Sequence, residues 1–318
     1  MKNWAYKIRY TVLRTLRLQW KAIMSQFFAL VGMVFTISEI INNVFGNTFG
    51  YDFIRKNIIG EAIAFLTICL IFNWKPLKYT CFLKNADIKI TLLVSDIFRQ
   101  KGAIVIPTNT TFDTIMDDEF ISMHSVQGQY QECHYHNALS KLDCEIENSL
   151  TGVPFVQVDD GRATKTKRYA MGTTCKISIG QEHVYLLAVA DINKYGKPQN
   201  VKLENITQSL VSFWQQLNEI GHLESIIIPV IGTGRAGIKD ASRDKIIQET
   251  IFSFIAAARE MKVTENLVIC IHPSDFLEKN LHWDDLCEYL QYSCKYPYHG
   301  NEKAEGSPEN ERIIARFG

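Results

Sequence analysis

Two long apolar stretches near the start of the chain constrain its fold more than any other feature. Ile23–Val44 (IMSQFFALVGMVFTISEIINNV) holds a single charge, Glu39, and Asn57–Trp74 (NIIGEAIAFLTICLIFNW) holds a single charge, Glu61. A helix crosses the roughly 30 Å hydrocarbon core of a bilayer with about 20 apolar residues, and both stretches come close to that. The Gly/Asn-rich connection Phe45–Lys56 suits a helical hairpin. A pair of buried core helices is the competing reading. Against it stand the scarcity of charge, the flanking Trp20, Trp74 and Tyr79, and the basic residues outside both ends. Six Lys/Arg precede the first stretch, Arg55 and Lys56 lie between the two, and Lys75, Lys78, Lys84 and Lys89 follow. That asymmetry predicts a multi-pass protein with both termini in the cytoplasm. The length of the first stretch, its lack of a small-residue cleavage pattern and the presence of a second stretch argue against a cleaved leader.

Upstream, Trp4, Ile8, Val12, Leu16 and Trp20 recur every four residues beside Lys7, Arg9, Arg14 and Arg17. This spacing fits a helix lying on an anionic membrane surface, or a continuation of the first span. Glu39 and Glu61 are costly groups to place in hydrocarbon. Each lies near the outer end of its stretch, which leaves an interfacial position or a meeting of carboxyls when several hairpins cluster.

After Lys84 the pattern changes. Ile88–Val94 and Ala103–Ile106 read as strands, and Ile177–Ile179 with His183–Ala190 as a hairpin turning at Gly180. Ser225–Ile231 and Asn266–Ile271 are continuous apolar runs, as central strands covered on both faces require. Between them, Leu203, Ile206, Leu210, Phe213, Leu217 and Ile220 mark a helix ended by Gly221, and Ile247, Ile251, Phe254, Ile255 and Ala258 mark another. A further helix is expected over 281–292. Strands alternating with helices predict an α/β domain with helices on both faces of its sheet. The expected layout is an amphipathic segment and membrane hairpin over 1–84 (spans about 23–44 and 57–74), a ligand-binding domain over 85–294, and a polar tail over 295–318.

The 34 basic and 34 acidic residues cancel, so no global excess of positive charge marks a nucleic-acid partner. Eight cysteines without a Cys-x-x-Cys pair read as reduced thiols rather than a disulfide framework. Cys133, His134, His136 and Cys144 cluster in sequence, but no second ligand pair stands at zinc spacing, and no metal is expected.

Pro229-Val-Ile-Gly232-Thr233-Gly234-Arg235-Ala236-Gly237-Ile238 places three glycines after a buried strand and before a helix. Such a turn lets backbone N–H groups approach an anion, and the next helix adds positive potential. It lacks the Gly-Lys-Ser/Thr ending of a Walker loop, and a tight structural turn is the plainer reading. A second constellation runs through Ser95-Asp96-Ile97 and Pro107-Thr108-Asn109-Thr110-Thr111-Phe112-Asp113-Thr114. A carboxylate at a strand end can accept from an exocyclic amino group, although Asp96 also suits a helix N-cap.

Together Asp96-Ile97, the strand leading to Asn109 and the Gly232–Gly237 loop resemble the signature elements of the macro domain, an ADP-ribose-binding α/β module. With two membrane spans in front, the chain is similar to the transmembrane–macro form of the Thoeris anti-phage effectors. Arg168–Thr174 and Ile271–Phe276 fit the same grouping. The resemblance covers about residues 86–292 and implies a macro-like three-layer α/β/α domain with a mixed sheet. It implies Asp96 near the adenine amino group, Asn109 near the distal ribose, the amides of Gly232, Thr233, Gly234, Arg235, Ala236 and Gly237 on the diphosphate, and Ile97, Thr108 and Thr110 among the ligand-binding residues. His272, Asp275 and Phe276 would flank the adenine or its ribose. The implied ligand is an ADP-ribose-derived signal nucleotide made by a TIR-domain enzyme, with no separate cofactor. The implied setting is the bacterial inner membrane, which homo-oligomers would disrupt. The chain departs from hydrolytic macro domains, which carry a glycine run just after the loop asparagine, whereas Thr110–Thr114 stand here. That favours binding over turnover. The alternative is a membrane-anchored ADP-ribosyl hydrolase positioning water with Asn109 and Asp113. The segment between Asp117 and Asp160 is left as either a lid or a protomer contact.

Overall fold

The structure is a computed structural model that describes residues 2–296, apart from 47–48, 74–76, 118–119, 162–163, 181, 200, 223, 233–237, 239 and 279–280. The polar tail from 297 onward, Trp74 and most of the glycine loop therefore lie outside the described residues. The chain divides into two compact units, Met1–Tyr79 and Thr80–Gly318.

The first unit is helical. Helix α1 (Lys2–Phe45) is broken at Gln19, whose φ of −125° and ψ of 17° leave the helical region. The upstream segment is thus a helix set off by a kink from the apolar one. Within α1, Gln19–Val44 is long and apolar enough to cross a membrane, and very little of it is buried. At 1.5 Å per residue it spans about 39 Å, more than the hydrocarbon core needs. Helix α2 (Phe49–Phe72) contains a shorter apolar stretch, Ile59–Phe72, so among the described residues one helix meets the length for a span. Ile23 on α1 and Cys69 on α2 are buried. At one end Asn73 Nδ2 donates to Gln26 Oε1 at 2.6 Å and to the Cys69 carbonyl at 2.7 Å.

The second unit is built on a mixed eight-stranded sheet. Its strands are β1 (Lys78–Phe82), β2 (Lys89–Val94), β3 (Ala103–Asn109), β6 (Thr174–Ile179), β7 (Glu182–Ile192), β8 (Pro198–Gln199), β9 (Ile226–Pro229) and β10 (Asn266–Ile271). The remaining two, β4 (Phe155–Gln157) and β5 (Lys167–Tyr169), pair antiparallel as a separate hairpin. The order is β1-β2-β10-β9-β3-β7-β6, with β8 on β7. The pairs β2/β10, β10/β9, β9/β3 and β3/β7 are parallel, while β6 and β8 run antiparallel to β7.

Two helical layers cover the sheet, as the alternation of side chains along β7 demonstrates. Val184, Leu186 and Ala188 pack with Tyr130, Tyr135, Leu142 and Ile146 from α3 (Val126–Tyr135) and α4 (Leu139–Ser149). Tyr185 points to the opposite face, where its ring meets Phe213 of α5 (Leu203–Ile220) edge-on. Trp214 of α5 meets Phe254 of α6 (Arg243–Glu260) edge-on and donates Nε1–H to Ser253 Oγ at 3.1 Å. The chain ends, as described, with α7 (Pro273–Glu278) and α8 (Trp283–Lys295). The three-layer α/β/α architecture with a mixed sheet matches the expectation. Gly221 ends α5 in the left-handed region at φ +70°, where a residue without Cβ carries no steric cost.

Candidate functional site: a cavity at the strand ends

The carboxyl ends of the parallel strands β2, β3, β9 and β10, with β7 beside them, converge on a cavity of about 550 Å³. Open parallel sheets form their ligand crevices at this edge, because loops there diverge to opposite faces. Ser95 follows β2, Pro107–Asn109 end β3, Val189, Ala190 and Ile192 come from β7, Pro229 ends β9 with Val230 and Gly232 after it, and Cys270 lies in β10 with His272 just beyond. The pairing of β3 with β7 slips between Thr108 and Asn109, so that Asn109 stands opposite Ala190. A bulge of this kind re-aims the side chain at a cavity edge.

Of the residues expected in a site, Ile97, Thr108, Asn109, Gly232, His272 and Asp275 line this cavity. Asn109 is almost fully buried, and its Oδ1 accepts from Thr111 N, Thr111 Oγ1 and Asp113 N at 2.9–3.1 Å. With its acceptor end used by the turn, the carboxamide has its Nδ2 donor to offer a ligand. Thr108 lines the wall with a buried hydroxyl that has no partner. Gly232 adopts φ +74°, and a Cβ there would stand 2.5 Å from Ile238 Cδ1. Thr233, Gly234, Arg235, Ala236 and Gly237 lie outside the described residues. Asp275 pairs with Arg243 at 3.2 Å, and His272 Nδ1 lies 2.7 Å from Ser274 Oγ.

Three expected site residues do not line the cavity. Asp96 caps a 3₁₀ turn at Ile97–Arg99, accepting from Phe98 N at 3.1 Å, and pairs with Arg99 at 3.3 Å. Thr110 donates its hydroxyl to Asp191 at 2.6 Å. Phe276 is buried edge-on against Trp283, one turn beyond the strand end.

The 117–160 segment, whose polar sequence gave no sign of a site, supplies much of one cavity wall through Phe120–Ser122, His124–Gln127 and Gln129. Ser125 caps α3 by accepting from Gly128 N at 2.9 Å. A Cβ on Gly128 would stand 2.1 Å from the Ser122 carbonyl, so glycine is what lets this wall fold back on the helix. The Ser-x-x-Gly spacing was the available signal, but α3 carries too few apolar residues to announce a helix. His134 stacks on Tyr130 and His136 pairs with Glu132. Among the described residues no cluster of His, Cys, Asp or Glu could hold a metal ion.

The loop after Asn109 is a packed plug. Thr110, Thr111, Phe112, Asp113 and Thr114 are all buried. Asp113 has no exposed surface, accepts from Thr111 Oγ1 and Lys165 N, and does not line the cavity. The water-positioning role that a hydrolase would give it has no geometric support. The cavity's thiol is similarly inert: burial pushes Cys270 up to about 12, and its Sγ donates to the Ser95 carbonyl at 3.2 Å. Among the described residues no Lys or Arg lines the cavity.

A three-layer α/β/α domain with a cavity at these strand ends belongs to the α/β ligand-binding class. The family model described as Thoeris protein ThsA, Macro domain matches residues 90–272, and the chain belongs to that family. A curated relative, the Thoeris protein ThsA of Bacillus amyloliquefaciens (strain Y2), is 23% identical over 209 residues, covering 62% of this chain and 69% of the relative. Among solved structures, a mutant macrodomain of Oceanobacillus iheyensis with ADPR has a TM-score of 0.44 at 14% identity, covering 69% of this chain and 97% of that one. The Trypanosoma brucei macrodomain in complex with ADP-ribose has a TM-score of 0.39 at 12% identity, covering 64% and 67%.

Proposed function

We propose that this chain is a ligand-sensing effector of anti-phage defence whose macro domain binds an ADP-ribose-derived nucleotide. The observation that carries the reading is the cavity at the strand ends, lined by Asn109, Thr108 and Gly232, in a chain of the ThsA macro family. Its volume is in the range of small-molecule sites. The signal would come from a TIR-domain enzyme, as in the sequence reading, and is held without a further cofactor. Asp96, Thr110 and Phe276 then act behind the cavity wall, and the 233–237 loop contributes amides to the diphosphate.

The apolar helices of the first unit would anchor the protein as a multi-pass hairpin in the bacterial inner membrane, with both termini cytoplasmic. Ligand binding would favour an assembled state of several copies, because a ligand shifts an equilibrium only by binding one state more tightly. Assembled hairpins would then breach the membrane. The burial of the Thr110–Thr114 plug supports sensing over hydrolysis.

Calorimetry of the full chain in detergent against ADP-ribose, with product analysis of the same mixture, tests the reading. Saturable binding with ADP-ribose recovered intact is expected. Consumption of ADP-ribose would make the protein a hydrolase, and absence of heat with any ADP-ribose derivative would remove the cavity's assigned role.

A further inference from the structure

Phe112 has no place in a turn by its own chemistry. Its φ of +51° lies in the left-handed region, which a bulky side chain occupies only when its surroundings hold it there. Its ring is enclosed and packs edge-on against Tyr169 at 5.6 Å. The turn it closes orients Asn109, since Thr111 and Asp113 both deliver donors to the Asn109 Oδ1.

From outside, Gln127 and Gln131 of α3 donate to the Asp113 and Thr114 carbonyls, and a cation holds the Phe112 end of the turn. Lys165, in the connection between β4 and β5, donates its Nζ to the Phe112 carbonyl at 2.8 Å and its backbone N–H to Asp113 Oδ1 at 3.3 Å. The ammonium also pairs with Asp143 on α4, which accepts the Thr114 hydroxyl at 2.7 Å. Lys165 does not line the cavity.

We propose that Lys165 is a positioning residue for the ligand cavity, holding closed the Phe112 turn that aims the Asn109 carboxamide. The proposal rests on the reading of the cavity as an ADP-ribose site. A carbonyl held by an ammonium is a charge-assisted contact, and its partner Asp143 fixes the ammonium in turn. Without the cation, the Phe112 carbonyl loses its donor and the left-handed residue loses the contact nearest its backbone. The turn then relaxes and frees the Asn109 oxygen, and the amide no longer faces the ligand in one orientation. Lys165 thereby makes the separate β4–β5 hairpin and α4 part of the binding apparatus.

ADP and ADP-ribose differ by the distal ribose, the part that Asn109 is assigned. The full chain in detergent is titrated with both ligands, unsubstituted and as Lys165→Met and Lys165→Arg. Lys165→Met should bind ADP-ribose about tenfold more weakly and ADP within about twofold of the unsubstituted chain, with Lys165→Arg recovering most of the loss. Equal losses for both ligands, or an unchanged ADP-ribose affinity, would overturn the proposal while leaving the site reading intact. An unsubstituted chain that binds neither ligand overturns the reading and this proposal together. Should Lys165→Met fail to fold, Asp143→Asn addresses the same ammonium from its other side, and the same selective loss is expected.

Discussion

Phe28 and Ile71, in the first unit, stand with 63% and 64% of their surface exposed, while Trp214 and Phe254, in the second, are fully enclosed. Both units are rich in large apolar side chains, yet only the second arranges them around a core. In water an exposed apolar surface of that extent is unfavourable by about 25 cal/mol for each Å². The exposed apolar surface of the first unit suits the membrane anchor proposed for it, whereas the second unit buries its own apolar side chains. The difference teaches that hydrophobic composition alone does not identify a core. What separates the two is whether a period-matched partner surface exists, as β7 has on both faces and α1 has along one.

Removing a large side chain should separate the units most sharply. Trp214→Ala is expected to cost the folded second unit roughly 3–5 kcal/mol, whereas Phe28→Ala should change it by less than about 0.5 kcal/mol. Denaturant unfolding of the detergent-solubilised chain measures both, and equal costs would break the contrast. Next in size, Ile37→Arg within Gln19–Val44 should disfavour membrane insertion by about 3 kcal/mol and shift the protein out of the membrane fraction on flotation. The same change at Val211, exposed on α5, should leave the distribution unaltered. A fraction unmoved by Ile37→Arg would mean that the apolar helix meets protein rather than lipid.

Within the second unit, Gly128→Val drives a Cβ into the Ser122 carbonyl. It should reduce ADP-ribose affinity by roughly 1–3 kcal/mol while the circular dichroism of the fold persists. Retained affinity would remove the Phe120–Gln129 wall from the site. The smallest effect concerns His222, which burial holds below its ordinary value of 6.5. It stands between the Tyr185 hydroxyl at 2.8 Å and the Glu224 carbonyl at 2.8 Å. A depressed histidine means that the unfolded chain takes up its proton first. The stability linked to His222 is therefore intact above pH 6.5 and declines on acidification until the folded state also protonates. Thermal melts between pH 7.5 and pH 5 should show that decline, and His222→Gln should flatten it (the pH range is about that in which histidine titrates).

Elements with strong periodicity were the legible ones. The apolar stripe from Leu203 to Ile220 and its Gly221 stop coincide with α5, and Asn266–Ile271 coincides with β10. The antiparallel β6/β7 pair was recognised but runs longer, Thr174–Ile179 with Glu182–Ile192. Where the pattern is short or polar, nothing could be read: β4 and β5 are three residues each, and α3 carries glutamines toward the 109–114 loop. At the site, the macro-domain resemblance pointed to Thr108 and Asn109, and both line the cavity. Phe276 stands off the cavity because its ring meets Trp283 of α8, a contact between separate helices that sequence spacing does not reveal.

The position of β10 has a consequence for the order of biosynthesis. The last strand among the described residues lies between β2 and β9, so two stretches of sheet translated earlier remain unjoined until Asn266–Ile271 has emerged. Synthesis runs from the N-terminus, and contacts between sequence-distant strands form late and slowly. The helices of residues 2–72 are thus available to a membrane well before a nucleotide cavity can exist. A chain interrupted before β10 would present apolar helices without the cavity proposed to control them.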